Sequence, residues 1–191
     1  MNCNRTDKWL IEPQLENGTL GPNMDTESAL RKRRVPVVNQ ARKVDYYNSS
    51  FHKGHLTPVS HAHSQSCSDA TFTLTNAAPQ NPSFNSGIWR VTESDMADSL
   101  KKNCINVGLR AFVVTGVVPG NNTMKNSRVQ IPSHFWTAFC CLDQNDKPKL
   151  SGGYIGKNVN NTNVDNLTRQ NLENKLKTLY NTTVTLFGSG C

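Results

Sequence analysis

Phe51-His52-Lys53-Gly54-His55-Leu56-Thr57-Pro58, then Thr71-Phe72-Thr73-Leu74-Thr75-Asn76-Ala77-Ala78-Pro79-Gln80, then Phe84-Asn85-Ser86-Gly87-Ile88-Trp89 and on to Glu93, form the stretch on which the fold turns. Its first piece sets a histidine behind a glycine at a strand end. In the second, Phe72 and Leu74 alternate with threonines, which predicts a strand over 71–77. Pro79 and Pro82 are expected to stop regular structure there. Between Ser83 and Lys102, Phe84, Ile88, Val91, Met96 and Leu100 recur at helical spacing, with Trp89 beside them. Gly87 weakens that helix. Asn85, Trp89 and Glu93 are spaced four apart and are expected along nearly one helix face, Trp89 as core. A strand pair packed on such a helix would bring His55 and Asn85 together.

Outward from this block, Trp9-Leu10-Ile11 is a short apolar anchor in a polar, loop-rich start. Arg31-Lys32-Arg33-Arg34 reads as a solvated loop, with a phosphate-contacting arm or a proprotein cleavage site as the alternatives. Residues 35–38 fit a strand edge, because Pro36 bars a central position. Residues 111–119 and 135–142 are buried-strand runs. Residues 167–180, with Leu167, Leu172, Leu176 and Leu179, form an amphipathic helix that Asp165 could cap. Residues 183–187 fit a last strand. Strands and helices in mixed order make an α+β fold. No repeat or linker divides residues 1–191, so one domain is expected.

The chain carries 21 Lys and Arg against 14 Asp and Glu, a net charge of +7, which favours polyanionic partners. No apolar run is long enough to span a bilayer, and no obligate protein partner is evident. Six cysteines without a C-x-x-C pair suggest three disulfides, in an order that sequence does not choose. Cys140 and Cys141, adjacent on a strand, would face opposite sides and take different partners. Sequons begin at Asn4, Asn17, Asn48, Asn121, Asn160, Asn166 and Asn181. Cysteines and sequons together favour a secreted protein. The opening Met-Asn-Cys-Asn has no apolar signal segment, so the expectation is an N-terminally truncated chain.

Asn76-Ala77-Ala78-Pro79-Gln80 and the Asn85–Trp89–Glu93 spacing resemble the N-x-x-P-Q and N-x-x-x-W-x-x-x-E motifs of the DNA/RNA non-specific endonucleases, the ββα-metal nucleases. Residues 9–15, 113–117, 131–137 and 153–156 look like those of the vertebrate endonuclease domain-containing 1 group and similar secreted animal nucleases. The resemblance implies a ββα-metal finger embedded in a mixed, mainly antiparallel sheet with flanking helices. It implies metal-dependent hydrolysis of phosphodiester bonds in DNA or RNA, with Mg²⁺ as cofactor and Mn²⁺ as a possible replacement. His55 would be the general base, since imidazole titrates near neutrality. Asn85 would be the metal ligand, and Glu93 would hold a water in the metal's shell. Asn76 would orient the His55 loop or that water. Lys53, Gln80 and Arg5, four residues before Trp9, would be on the substrate side. The family's D-R-G-H stands here as His52-Lys53-Gly54-His55, so a fork-shaped phosphate donor is replaced by a point charge.

The rival readings are three. A secreted nucleic-acid-binding module could keep this fold with weak or no turnover. A structural zinc site could draw on His52, His55, His61, His63 and Cys67, though their spacing is not a usual one. A basic lectin-like or membrane-surface protein is disfavoured by an aromatic content of only 7%. Outside the zinc reading, His61 and His63 are loop residues and His134 packs at a strand start.

Overall fold

The computed structural model describes residues 4, 6, 8–125, 127–188 and 191, so Cys3 and Arg5 lie outside the described residues. Two compact units divide the chain, Met1–Gln80 with Asn122–Ile131 and Asn81–Asn121 with Pro132–Cys191.

In the first unit the apolar anchor becomes a spine. Leu10 bridges Thr73 in parallel, and Ile11 exchanges hydrogen bonds of 2.8 and 3.0 Å with Asp25. Helix α1 (Glu27–Lys32) starts where the Thr26 hydroxyl accepts from the Ala29 amide. The basic run is therefore the end of a helix and the turn after it, not a loop. Strand β1 (His52–His55) and helix α2 (Gln65–Ala70) follow, and β1 pairs antiparallel with β2 (Ala77–Gln80). The core is Ile11, Leu30, Val37, Tyr46, Leu74 and Met124. Each of the larger apolar side chains contributes roughly 2 kcal/mol by leaving water.

Three expectations fail here. Residues 71–76 are not a strand; Phe72, Thr73 and Leu74 are all buried, so burial there does not alternate. After the single bridge of Thr73 to Leu10 the chain tightens into a 3₁₀ turn, Leu74–Asn76, and enters the hairpin only at Ala77. Pro79 sits inside β2, tolerated because a two-stranded hairpin has only edge strands. Residues 35–38 form no strand.

In the second unit the Asn81 side chain caps α3 (Pro82–Phe84), so Pro82 starts a helix instead of ending structure. A π turn (Asn85–Trp89) leads into α4 (Arg90–Asn103). The sheet runs β3 (Arg110–Val118), β4 (His134–Leu142), β5 (Pro148–Lys157) and β6 (Val164–Leu167), with every pair antiparallel. Only β4 is buried almost throughout. Strand β3, expected to be buried, lies at an edge with Phe112 and Val113 exposed.

Alternation along β4 sends Trp136 and Ala138 to one face and Phe139 and Cys141 to the other. Helix α5 (Arg169–Tyr180) packs Leu172 and Leu176 on the first face, and α4 packs Met96 and Leu100 on the second. The cysteines follow the same alternation. Cys141 bonds Cys104 at the end of α4, and Cys140 bonds Cys191 beyond α5. Those are two of the three expected bridges. Cys67 bonds no described cysteine, and Cys3 is outside the described residues. Helix α5 begins at Arg169 with Thr168 as cap, because Leu167 and Asp165 belong to β6. Residues 183–187 form no strand.

Candidate active site

On the hairpin, β1 delivers His55 at its last position, opposite Ala77. The imidazole lies 5.0 Å from the Trp9 ring and meets Phe72 edge-on at 4.8 Å, and Trp9 and Phe72 touch each other at 5.3 Å. Two aromatic walls thus fix the ring plane. The loop leaving His55 is held by Asn76. Its Oδ1 accepts from the Thr57 amide at 2.9 Å, and its Nδ2 donates to the Thr57 and Thr71 carbonyls at 3.1 and 2.9 Å. The Leu56 amide donates to the Asn76 carbonyl at 2.9 Å. Those contacts spend the side-chain amide on backbone, which ties the His55 loop to the 3₁₀ turn.

Lys53, two residues earlier, is half-buried. Its Nζ lies 5.7 Å over Trp9 and 5.4 Å over Tyr46, so both rings stabilise the cation. Gln80 is fully buried, with neither amide atom hydrogen-bonded to a described residue. Its side chain fills the space over Gly54, where a Cβ would overlap Gln80 Oε1 and stand 2.5 Å from its Cβ. Gly54 in the Lys-Gly-His segment is therefore a steric requirement of Gln80. Arg5 lies outside the described residues.

The second unit carries the remaining expected residues. Asn85, half-buried, opens the π turn, its amide donating to the Asn81 carbonyl at 2.8 Å. Asn81 is itself anchored, since its amide donates to Asn158 Oδ1 at 2.7 Å and Asn158 Nδ2 donates to the Pro132 carbonyl at 2.9 Å. Trp89 is 1% exposed between Phe84 and Phe135, at 5.3 and 6.0 Å, and is core as expected. Glu93 sits one turn further along. Burial raises its carboxyl to about 7, and the Trp89 indole, facing it without full hydrogen-bond geometry, offsets part of that rise.

The expectation that Asn85, Trp89 and Glu93 share one regular helix face is modified. Gly87 takes a non-helical conformation (φ −97°, ψ −115°), and the π turn adds a residue between Phe84 and Trp89. The buried series is then Phe84, Trp89, Thr92, Met96 and Leu100, leaving Ile88 and Val91 exposed.

The histidine and cysteine cluster gives no metal cage. Among the described residues, no three His, Cys, Asp or Glu side chains are placed to share an ion. His63 Nε2 lies 3.5 Å from Cys67 Sγ. His61 is not a solvated loop residue. It is half-buried in a 3₁₀ turn, and burial lowers its pKa. His134 opens β4, where burial and then Lys175 and Lys157 lower its pKa. Sequence reading missed Trp9 as a wall for His55. The only sequence signal was its place in the apolar Trp9-Leu10-Ile11 anchor, and the bridge from Leu10 to Thr73 that brings it to His55 is visible only in the fold.

A hairpin ending in a clamped histidine and a helix opened by an asparagine are the parts of a ββα-metal nuclease fold. The chain matches the sequence profile of the DNA/RNA non-specific endonucleases over residues 13–188, and it belongs to that family. It is 34% identical over 140 residues to the human endonuclease domain-containing 1 protein, covering 70% of this chain and 26% of that one. It is 30% identical to bovine mitochondrial endonuclease G, covering 67% of this chain and 46% of that one. Nuclease C1 of Cunninghamella echinulata var. echinulata is 28% identical, with 78% and 62% covered. The chain thus spans about a quarter and under half of the first two relatives. A crystal structure of the EndoG/EndoGI complex matches with a TM-score of 0.57 and 21% identity, over 74% of this chain and 63% of that one, which is a likeness of fold.

Proposed function

We propose that the chain is a metal-dependent endonuclease that hydrolyses phosphodiester bonds in DNA and RNA with little sequence preference. The observation that carries this reading is the clamped His55 on the Lys-Gly-His strand of a chain that matches the endonuclease profile almost throughout. His55 takes a proton from water, and the resulting hydroxide attacks phosphorus. The P–O bond to the leaving oxygen breaks, and that oxygen takes up a proton. Lys53 would meet the phosphate with positive charge, and so would Arg5 in the role that the resemblance gives it. Asn76 is a positioning residue that sets His55 through the loop.

The donor chemistry suits a hard cation. Asn85 offers an amide oxygen, Glu93 offers a carboxylate in the same helical run, and no cluster of His and Cys among the described residues competes for a softer metal. Asn85 would hold Mg²⁺, with Mn²⁺ as a substitute, and Glu93 would hold a water beside it. Such a cation supplies electrostatic relief for charge developing on the phosphoryl oxygens. Contacts to phosphate carry no sequence information, so specificity is weak. Secretion fits the two disulfides and the exposure of all seven sequon asparagines. No helix among the described residues is long and apolar enough to cross a membrane.

The test is cleavage of plasmid DNA and total RNA by chain produced in an oxidising host. Cleavage should need Mg²⁺ or Mn²⁺, stop in EDTA, and fall about a hundredfold to ten-thousandfold in His55→Ala. Folded, disulfide-bonded wild type that binds DNA but leaves it intact in both metals would overturn the enzyme reading in favour of a binding module.

A further inference from the structure

The basic run has no part in that reaction, yet the fold shapes it into a site. Helix α1 ends in a Schellman turn. The Arg34 amide donates to the Arg31 carbonyl at 2.9 Å, and the Val35 amide donates to the Leu30 carbonyl at 3.0 Å. Arg34 holds the left-handed position of that turn at φ +59°, where glycine is the unstrained choice. An arginine thus stands at a backbone position that most side chains disfavour. Its side chain lines a cavity of about 720 Å³ together with Arg31, Arg42 and Glu27, over a floor that includes Val38 and Val44, each 57% exposed.

Three guanidinium groups face one carboxylate there. Glu27 is partly engaged, accepting from the Lys43 amide at 2.6 Å. The Arg42 backbone amide donates to Asp45 Oδ2 at 2.8 Å, but its guanidinium stands 4.0 Å from that carboxylate, and its buried Nε has no hydrogen-bond partner among the described residues. Asp45 is also met by Arg128 at 3.4 Å. The far wall is fixed independently of any ligand. The Val38 amide donates to Glu16 at 2.8 Å, and Arg128 donates to the Val38 and Gln40 carbonyls. Arginine forks over an exposed apolar floor match a chain of phosphates joined by sugars, with phosphates on the forks and sugar faces on the valines.

We propose that this groove is a second phosphodiester-binding site, which holds one strand of nucleic acid and shares no lining residue with the hairpin that bears His55. It rests on the nuclease reading for the identity of the polyanion. Its role is to retain a long substrate, so it acts on affinity and leaves the bond-breaking step alone.

The experiment uses the full chain in EDTA and a labelled single strand read by fluorescence anisotropy across a KCl series. The variants are Arg34→Gly and the double variant Arg31→Gln with Arg34→Gly. The double variant should bind about tenfold more weakly, and its log–log salt slope should be shallower by roughly 1.4, for two lost phosphate contacts. Its Tm should not fall, because glycine suits the turn. Its hydrolysis of bis(4-nitrophenyl) phosphate in Mg²⁺ should equal that of wild type, because that ester is too short to reach the groove. Unchanged affinity and slope in the double variant overturn the proposal. Loss of polyglutamate binding with nucleic-acid binding intact overturns it as well, in favour of an acidic protein partner. If wild type binds the strand but cleaves nothing in Mg²⁺ or Mn²⁺, the nuclease reading fails, and weaker binding by the double variant still supports the groove.

Discussion

His55 and Glu93 show how differently two polar groups can be prepared for chemistry. The imidazole is fixed by ring contact, between Trp9 and Phe72. Phe72→Ala should therefore lower kcat while leaving DNA affinity near wild type, and an equal loss in both would mean that Phe72 only holds the core. Glu93 is prepared by burial, which raises its carboxyl from 4.5 to about 7. A folded-state pKa above the unfolded one means that the native protein keeps a proton which the unfolded chain has released. Metal-free stability should then fall as pH rises from about 4.5 to 7, by on the order of 3 kcal/mol. Urea unfolding in EDTA across that range checks this, and Glu93→Gln should remove the slope. A nearby cation favours the ionised carboxylate. Added Mg²⁺ should thus move the Glu93 carboxyl resonance toward a lower pKa, and no movement would separate Glu93 from the metal.

At the scale of elements, the hairpin depends on a missing side chain. A methyl group at Gly54 collides with Gln80, so Gly54→Ala should cost about 2 kcal/mol through overpacking. Chemical denaturation measures this, and Gln80→Ser in the same background should recover part of the loss. A Gly54→Ala protein as stable as wild type would remove the steric account of the Lys-Gly-His segment. The same elements show what sequence could reveal. The motif residues, α4, α5 and the strand over 134–142 were legible because apolar period or motif spacing marks them. The π turn was not, since Ile88 fits the regular helical series from Phe84 better than Trp89 does. Only the geometry of Gly87 shifts the phase. Strand β5 was hidden by its glycines, which read as loop. Gly153 admits Leu172 of α5 and Gly156 admits the Phe84 ring, so glycine here records close packing. The fate of Gln80 was equally hidden, because a polar residue in a substrate motif gives no sign that it is buried.

Across the whole chain, charge and covalent links set different properties. The +7 net charge raises encounter with polyanions and makes binding salt-sensitive, but it holds no element in place. The disulfides act on stability and follow the alternation of β4. Cys104–Cys141 ties α4 to one face, and Cys140–Cys191 ties the segment beyond α5 to the other. Their separations of 37 and 51 residues close long loops, so each restricts the unfolded chain substantially. Replacing Cys140 and Cys191 by serine should lower unfolding free energy by about 2–4 kcal/mol, read as a lower urea midpoint. Replacing Cys104 and Cys141 should act similarly, but Cys140 and Cys141 are chain neighbours, so the two losses should couple instead of adding. Strict additivity would show that each face of β4 relaxes on its own when its bridge is removed. A double-bridge variant that folds and cleaves as well as wild type at ordinary temperature would instead show that apolar packing on β4 suffices, and it would remove the physical reason to place this chain in an oxidising compartment.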